Sequence, residues 1–263
     1  MIHPSAIIHP TAKVHETARI DPYAIIGEDC VIGAGVHVAP YAVIEFTEIG
    51  ENTKIHTHAV VGSSPQDLKY KGEKTKLIIG KNCTIREFAQ INRATIATGK
   101  TVIGDDCYIM AFTHIAHDVR VGNGVIMVNG ATLAGHVEVG DHVVLGGLCA
   151  VHQFCRVGTL AMIGGGAMVN QDVIPFAQAQ GDRARLVGLN LVGLKRKGYK
   201  LSDIEEIKSA YRSLFLSGLT VQDAVEQLEA SDPSAEVRSI VAFIRSSKRG
   251  IAHHGRKEAV NEL

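Results

Sequence analysis

The sequence predicts an all-β parallel β-helix built from hexapeptide coils, followed by a small C-terminal α-helical domain. Three observations carry this. Aliphatic residues recur on nearly every sixth position from Ile2 to Val169, a period that belongs to neither an α-helix nor an ordinary sheet. The next position is often glycine, as at Gly27, Gly33, Gly80, Gly104, Gly122, Gly140 and Gly158, which suits a chain that bends sharply at regular intervals. Near Gln180 the period stops and helix-capping signals take over.

The first run of coils reads Ile2, Ile8, Val14, Ile20, Ile26, Ile32, Val38 and Ile44, then slips by one residue to Ile49, Ile55 and Val61. The second starts at Ile79, Ile85 and Ile91, skips Ala97, and continues from Ile103 through Ile109, Ile115, Val121, Met127 and Leu133 to Val169. Three hexapeptides close one triangular coil, so residues eighteen apart in sequence stack at the roughly 4.8 Å spacing of neighbouring strands. Two stretches break the pattern. Ser63 to Lys76 is polar and puts Asp67 and Glu73 where aliphatics are due, which predicts an external loop; Arg93 to Lys100 predicts a smaller bulge. Excursions from a rigid solenoid are natural carriers of binding residues.

The division falls at residues 1–183 for the β-helix, which is expected to be catalytic, and 184–263 for the helical domain. In the latter, Ser202 to Glu205 has capping-box spacing ahead of an amphipathic run through Phe215. Thr220 and Asp223 open a second helix to about Ala230, and Asp232-Pro233 opens a third through Ser247 with proline at its first position. The residues from His253 onward read as frayed. Arg183, Arg185, Lys195, Arg196, Lys197 and Lys200 form a basic stretch with no acid between Asp182 and Asp203. It reads as a solvated surface or as a dock for a phosphate or an acidic partner.

Composition narrows the function classes. Lysine plus arginine and aspartate plus glutamate both number 27, so the global basic field of a nucleic-acid binder is missing. No apolar run approaches the roughly 18 residues of a membrane span, and the start at Met1 has no basic segment followed by an apolar stretch. The expected location is the cytoplasm. The five cysteines, Cys30, Cys83, Cys107, Cys149 and Cys155, share one slot of the hexapeptide with alanines such as Ala24 and Ala42, and are read as small inward-facing residues.

The stacking rule assembles a polar constellation. His117 stacks on Gly135 and then Gln153, Asp118 on His136, and Ala116 on Ala134 and then His152. Packing does not account for so many polar groups on one face. A histidine is a natural general base at neutral pH, and a glycine beneath it offers an unshielded backbone N–H to an oxyanion. Asp118 follows His117 directly, so on a strand it would point to the opposite side; only a corner conformation lets it orient the imidazole. The other histidines, His3, His9, His15, His37, His56, His58, His142, His253 and His254, are expected to face solvent.

Five motifs in order, Gln66-Asp67-Leu68-Lys69-Tyr70, His114-Ile115-Ala116-His117-Asp118, Asn129 to His136, Val151-His152-Gln153-Phe154-Cys155 and Gly193-Leu194-Lys195-Arg196, resemble those of the UDP-N-acetylglucosamine O-acyltransferases, which open lipid A synthesis. The resemblance covers the whole chain and implies a left-handed β-helix, an exception to the right-handed crossover preference. It implies an acyltransferase without metal or cofactor, in which His117 is the general base toward the sugar 3-hydroxyl, Gly135 holds the oxyanion and Asp118 orients His117. The donor would be a (R)-3-hydroxyacyl chain on acyl carrier protein. It further implies that His114, His136, His152 and Gln153 bind substrate, with Gln66, Asp67 and Lys69 closing over it, Asn190 and Arg196 near the nucleotide phosphates, and Gly165 where acyl length is gauged. It implies a homotrimer with sites between subunits, and no nucleic-acid or integral membrane contact.

Three rivals differ in what they require. A 3-amino sugar nucleotide would use the same base and oxyanion donor for N-acylation. A zinc enzyme like the γ-class carbonic anhydrases would need three imidazoles such as His114, His117 and His136 around one ion. A non-enzymatic scaffold would leave the His117 face unexplained.

Overall fold

The computed structural model describes residues 1–255. The repeat folds as expected into a left-handed parallel β-helix with three flat faces. Most hexapeptides contribute a two-residue strand. The first face holds nine strands, from Ile7–Ile8 to Met168–Val169, and the second eight, from Lys13–Val14 to Arg156–Val157. The third face has ten strands from Arg19–Ile20 onward, and it ends in Ala177–Gln180 paired antiparallel with Arg185–Leu189.

The six-residue period places one aliphatic of each strand inside. Ile85, Ile109, Met127, Leu145 and Ile163 stack through successive coils of the third face and are fully buried. The outward residue of the same strands is partly or fully exposed, as with Thr84, Tyr108, Ile126, Val144 and Met162. All five cysteines are buried and unpaired.

The corners turn on residues in the left-handed backbone region: Tyr23, Tyr41, His58, Phe88 and Phe112 lie between the third and first faces, and Asp118, His136 and Phe154 between the first and second. Non-glycine residues seldom adopt this region, and here the coil requires it. Glycine is enforced elsewhere, where coils touch. A Cβ on Gly50 would lie 2.6 Å from the Gly80 carbonyl carbon of the next coil.

Both irregular stretches leave from one corner. The loop from residue 64 to 75 connects Val60–Ser63 to Lys76–Ile79, and residues 93–99 connect Gln90–Asn92 to Lys100–Ile103. Each joins the first face to the second. Arg93, nearly buried, stacks under Phe46 at 4.4 Å and beside Tyr70 at 5.6 Å, and donates to the Gly62 carbonyl and the Tyr70 hydroxyl.

The helical part differs from its sequence reading at several points. An antiparallel strand, Arg185–Leu189, precedes any helix, so the boundary drawn after residue 183 falls in the turn before it. A short α1, Leu191–Arg196, carries Lys195 and Arg196 of the basic stretch, with Asn190 as its N-cap. In α2, Leu201–Phe215, the cap is Lys200 rather than Ser202, because the Asp203 carboxylate accepts the Lys200 N–H. After α3, Val221–Ala230, the next helix α4 starts at Ala235 behind a Ser234 cap, leaving Pro233 outside, and ends at Arg245. His254 is not frayed: its segment bridges Leu186 and its Nδ1 meets the Tyr211 hydroxyl at 2.9 Å. The rest of the expected frayed end, 256–263, lies outside the described residues.

Ile85 is fully enclosed between stacked neighbours, so Ile85→Ala removes core volume that the rigid coil cannot refill. The expected loss is about 2–5 kcal/mol of unfolding free energy, read from urea denaturation.

Candidate active site

The chain passes from the first face to the second at Ala116–Val119, and there Asp118 takes a left-handed conformation with φ +63°. That turn reverses the strand alternation. The Asp118 carboxylate comes back onto its neighbour, and His117 Nδ1 sits 2.7 Å from Asp118 Oδ2. His136, stacked one coil on, brings Nε2 to 3.6 Å from the same oxygen, edge-on to His117. Its ring lies flat against Phe154 at 4.6 Å, a neighbour the sequence reading missed.

Gly135 lies under the His117 ring as expected. A Cβ there would be 2.7 Å from His117 Cε1 and 2.9 Å from Nε2, so only glycine leaves the imidazole in place. The Gly135 carbonyl accepts the Phe154 N–H, while its own N–H has no acceptor among the described residues.

The Asp118 side chain is wholly buried, and it is heavily bonded. Thr95 donates its backbone N–H at 3.2 Å to both oxygens and its hydroxyl at 2.7 Å to Oδ2, and the Thr98 hydroxyl donates to Oδ1. The Thr101 hydroxyl accepts the Asp118 N–H at 2.9 Å. Burial pushes the Asp118 carboxyl up, but the Thr98, His117 and Thr95 bonds outweigh it and hold the group below the ordinary aspartate value. Neither threonine figured in the sequence reading; the only signal was that Arg93 to Lys100 disrupts the coil at this corner.

The remaining expected residues divide into two groups. His114 points outward from the first face between Gln90 and Thr132, and burial and the nearby His117 both lower its pKa, which keeps it neutral. Gln66 reaches that face through Gln90 Oε1 at 3.2 Å. Lys69 is exposed on the loop, and Asp67 caps the turn by accepting the Lys69 N–H. His152 and Gln153 are exposed one coil beyond Ala134 and Gly135, and Arg249 from the C-terminal segment approaches His152 Nδ1 at 3.2 Å.

The second group lies elsewhere. Asn190 and Arg196 line a cleft of about 440 Å³ whose floor is Ile126, Val144 and Met162 of the third face, across the prism from the His117 corner. The Asn190 amide is already committed, accepting the Gly193 N–H and donating to the Leu160 carbonyl. Gly165 is at the corner between the third and first faces, with the Gly147 carbonyl 3.3 Å from where its Cβ would be. One chain does not bring these residues to His117.

Several histidines expected to face solvent are partly exposed and also have partners. His37 meets Asp21 at 2.7 Å, His56 meets Glu87 at 3.3 Å, and His142 lies over Gly124 with Lys197 3.4 Å away. Nor does a three-imidazole cluster form from His114, His117 and His136. The clustered donors, within 4.8 Å of one another, are His117, Asp118 and His136, and the Asp118 oxygens already serve both threonines.

Comparison with known proteins points to one family. Residues 172–252 match the family described as UDP-N-acetylglucosamine O-acyltransferase, domain 2, and residues 100–135 match the bacterial transferase hexapeptide repeat. Residues 2–102 match the GMPPB C-terminal domain. The acyl-[acyl-carrier-protein]–UDP-N-acetylglucosamine O-acyltransferase of Thermodesulfovibrio yellowstonii is 49% identical over 253 residues, covering 95% of this chain and 98% of that protein. Among solved structures, the UDP-N-acetylglucosamine acyltransferase of Campylobacter jejuni superposes with a TM-score of 0.93 at 41% identity, covering 97% of this chain and 100% of that one. The Acinetobacter baumannii structure gives 0.92 at 40%, covering 96% and 99%.

Because the Asp118 pKa is lowered on folding, its stabilisation is complete above the unfolded value and is lost as pH falls through the folded one. Thermal melting followed below about pH 4 should therefore fall less steeply in Asp118→Asn than in the native chain.

Proposed function

The chain belongs to the UDP-N-acetylglucosamine O-acyltransferase family, and we propose on that premise that it moves a (R)-3-hydroxyacyl chain from acyl carrier protein to the sugar 3-hydroxyl, opening lipid A synthesis. The observation that carries the reading is the His117–Asp118 contact over Gly135. With Asp118 anionic and accepting from Nδ1, Nε2 is left as a free acceptor. His117 takes the sugar 3-hydroxyl proton through Nε2 as the oxygen attacks the thioester carbon. The carbonyl becomes a tetrahedral oxyanion facing the Gly135 N–H, which has no acceptor among the described residues, a contact worth roughly 3–4 kcal/mol in comparable sites. Collapse breaks the carbon–sulfur bond, and the imidazolium returns its proton to the leaving thiolate. His114, His136, His152 and Gln153 supply substrate contacts around the dyad, and Gln66, Asp67 and Lys69 border it from the loop.

Assembly follows from the division of the site. Arg196 and Gly165 act only if another copy presents them to the His117 corner, and we propose a homotrimer, as the resemblance implies. Exposed Tyr23, Tyr41, Phe88 and Phe112, stacked with His58 at 5.0–5.3 Å along one corner, support burial of that edge against a neighbour. Asn190 acts in this reading by capping α1, which holds Arg196. No helix of the described residues is long and apolar enough to cross a membrane, and we place the reaction in the cytoplasm, where free thiols such as the five buried ones persist.

Acyl transfer should be measured with UDP-N-acetylglucosamine and, separately, its 3-amino analogue, using 3-hydroxyacyl carrier proteins of several lengths. The native chain is expected to acylate the hydroxyl. His117→Ala and Gly135→Ala should each lose at least about 10²-fold in kcat while the fold is kept; product made only from the amine would reassign the acceptor. Mixing His117→Ala with Arg196→Ala chains, then refolding them together, should restore part of the activity absent from either alone; no restoration would place the whole site within one chain.

A further inference from the structure

The residues 93–99 lie outside the motifs of the proposed reaction, yet they contact its only buried carboxylate. Asp118 faces His117 on its own corner and His136 from the next coil. From the excursion it faces only neutral donors: the Thr95 N–H, the Thr95 hydroxyl and the Thr98 hydroxyl. We propose that Thr95 and Thr98 are positioning residues of the proton relay, which fix Asp118 as an anion and thereby hold His117 in the tautomer that leaves Nε2 free. The inference rests on the acyltransfer reading above and extends it to residues that act through their contact with Asp118.

The direction of each hydrogen bond decides the matter. A threonine hydroxyl has one proton and can donate or accept, and an accepting hydroxyl beside Asp118 would favour a protonated acid. Thr95 Oγ1 accepts the Ala97 N–H at 3.2 Å through one lone pair, and its own proton has Asp118 Oδ2, 2.7 Å away, as its acceptor among the described residues. Oδ2 then receives three donors, the Thr95 hydroxyl and His117 Nδ1 at 2.7 Å and the Thr95 N–H at 3.2 Å. A carboxylate in that position can only accept, so His117 must carry its proton on Nδ1. The single Thr98 hydroxyl proton has two acceptors in reach, Asp118 Oδ1 and, at 3.1 Å, the Lys100 carbonyl, and Oδ1 is the nearer. The Thr101 hydroxyl, which accepts the Asp118 N–H, fixes the backbone at the same turn.

Without the two hydroxyls, burial dominates. A carboxyl whose side chain is out of solvent and short of donors takes up a proton at higher pH. The protonated acid would donate to His117 Nδ1, shift the imidazole proton to Nε2, and remove the acceptor that the sugar hydroxyl needs. The same excursion carries Arg93, which grips the 64–75 loop through the Tyr70 hydroxyl. One seven-residue departure from the coil, 93–99, therefore supports both the substrate loop and the dyad.

The test compares Thr95→Val, Thr98→Val and the double variant with the double serine variant, in the native and Asp118→Asn backgrounds. The expected result for the double valine chain is a kcat lower by at least about tenfold, with KM for both substrates within about twofold. The acid limb of kcat/KM should move up by about one pH unit. Serine at both positions should restore the native profile, and in Asp118→Asn the valine changes should add little further loss, since the group they serve is gone. An unmoved acid limb and kcat in a folded double variant would overturn the proposal, as would a rise in KM alone or an equal fractional loss in Asp118→Asn. Thr98 is exposed, so Thr98→Val carries the test if the double variant does not fold. If the native chain transfers no acyl group, the reaction assigned above fails while this inference keeps its own readout. The Asp118 carboxyl titration, followed by carbon-13 NMR, must then still move up in Thr98→Val, and an unchanged midpoint overturns it.

Discussion

The structure depends on one constraint: every coil must turn three corners in step, so that each inward aliphatic lands on the one below. At many corners the chain meets this by placing a residue in the left-handed backbone region, a cost that burial of the aliphatic column offsets. The chemistry grows out of that strain. Two consecutive residues on a strand point apart, but at a corner with φ +63° Asp118 folds back onto His117. His136 and Phe154 occupy the equivalent corner of later coils, which is why they stack beside the dyad. The tightness of the coil also explains Gly135, where a methyl group would displace the His117 ring.

A rigid prism localises its irregularities. Both excursions leave from the corner between the first and second faces, next to the dyad and on its N-terminal side. Arg93 fastens them together between Phe46 and Tyr70, and the coils beneath give the loop residues Gln66 and Lys69 a fixed base. The opposite face serves a different purpose. There the terminal hairpin carries the chain off the coil, Asn190 caps α1, and the end of α1 presents Arg196 and its C-cap Lys197 over an apolar floor. Under the proposed assembly, the separation of these two regions gives a second copy its part in the site.

Periodicity made most of this legible. The six-residue phase gave the inward column, the slip after Ile44, the break at residues 63–76 and the coil-to-coil neighbours His117 over Gly135 and Asp118 beneath His136, because a solenoid converts sequence separation into distance. What it does not encode is backbone conformation at single corners, so the His117–Asp118 contact stood as a condition that only the fold supplied. Thr95 and Thr98 were hidden for a related reason: inside an excursion the stacking rule no longer applies. The helical domain shows the ordinary limits of local signals. Ser202 and Pro233 are both plausible helix starts, and in each case a neighbouring residue captured the cap. His37, His56 and His254 found partners from other coils or helices that no local pattern predicts.

The central claim is that Asp118, fixed at its corner, holds His117 with the proton on Nδ1 and Nε2 open. Nitrogen-15 NMR of the histidine side chains in the native chain reads this directly at neutral pH. The account predicts a protonated Nδ1 and an unprotonated Nε2 for His117, with that preference lost in Asp118→Asn. A His117 carrying its proton on Nε2 in the native chain would contradict it, since that imidazole has no lone pair to offer the sugar hydroxyl.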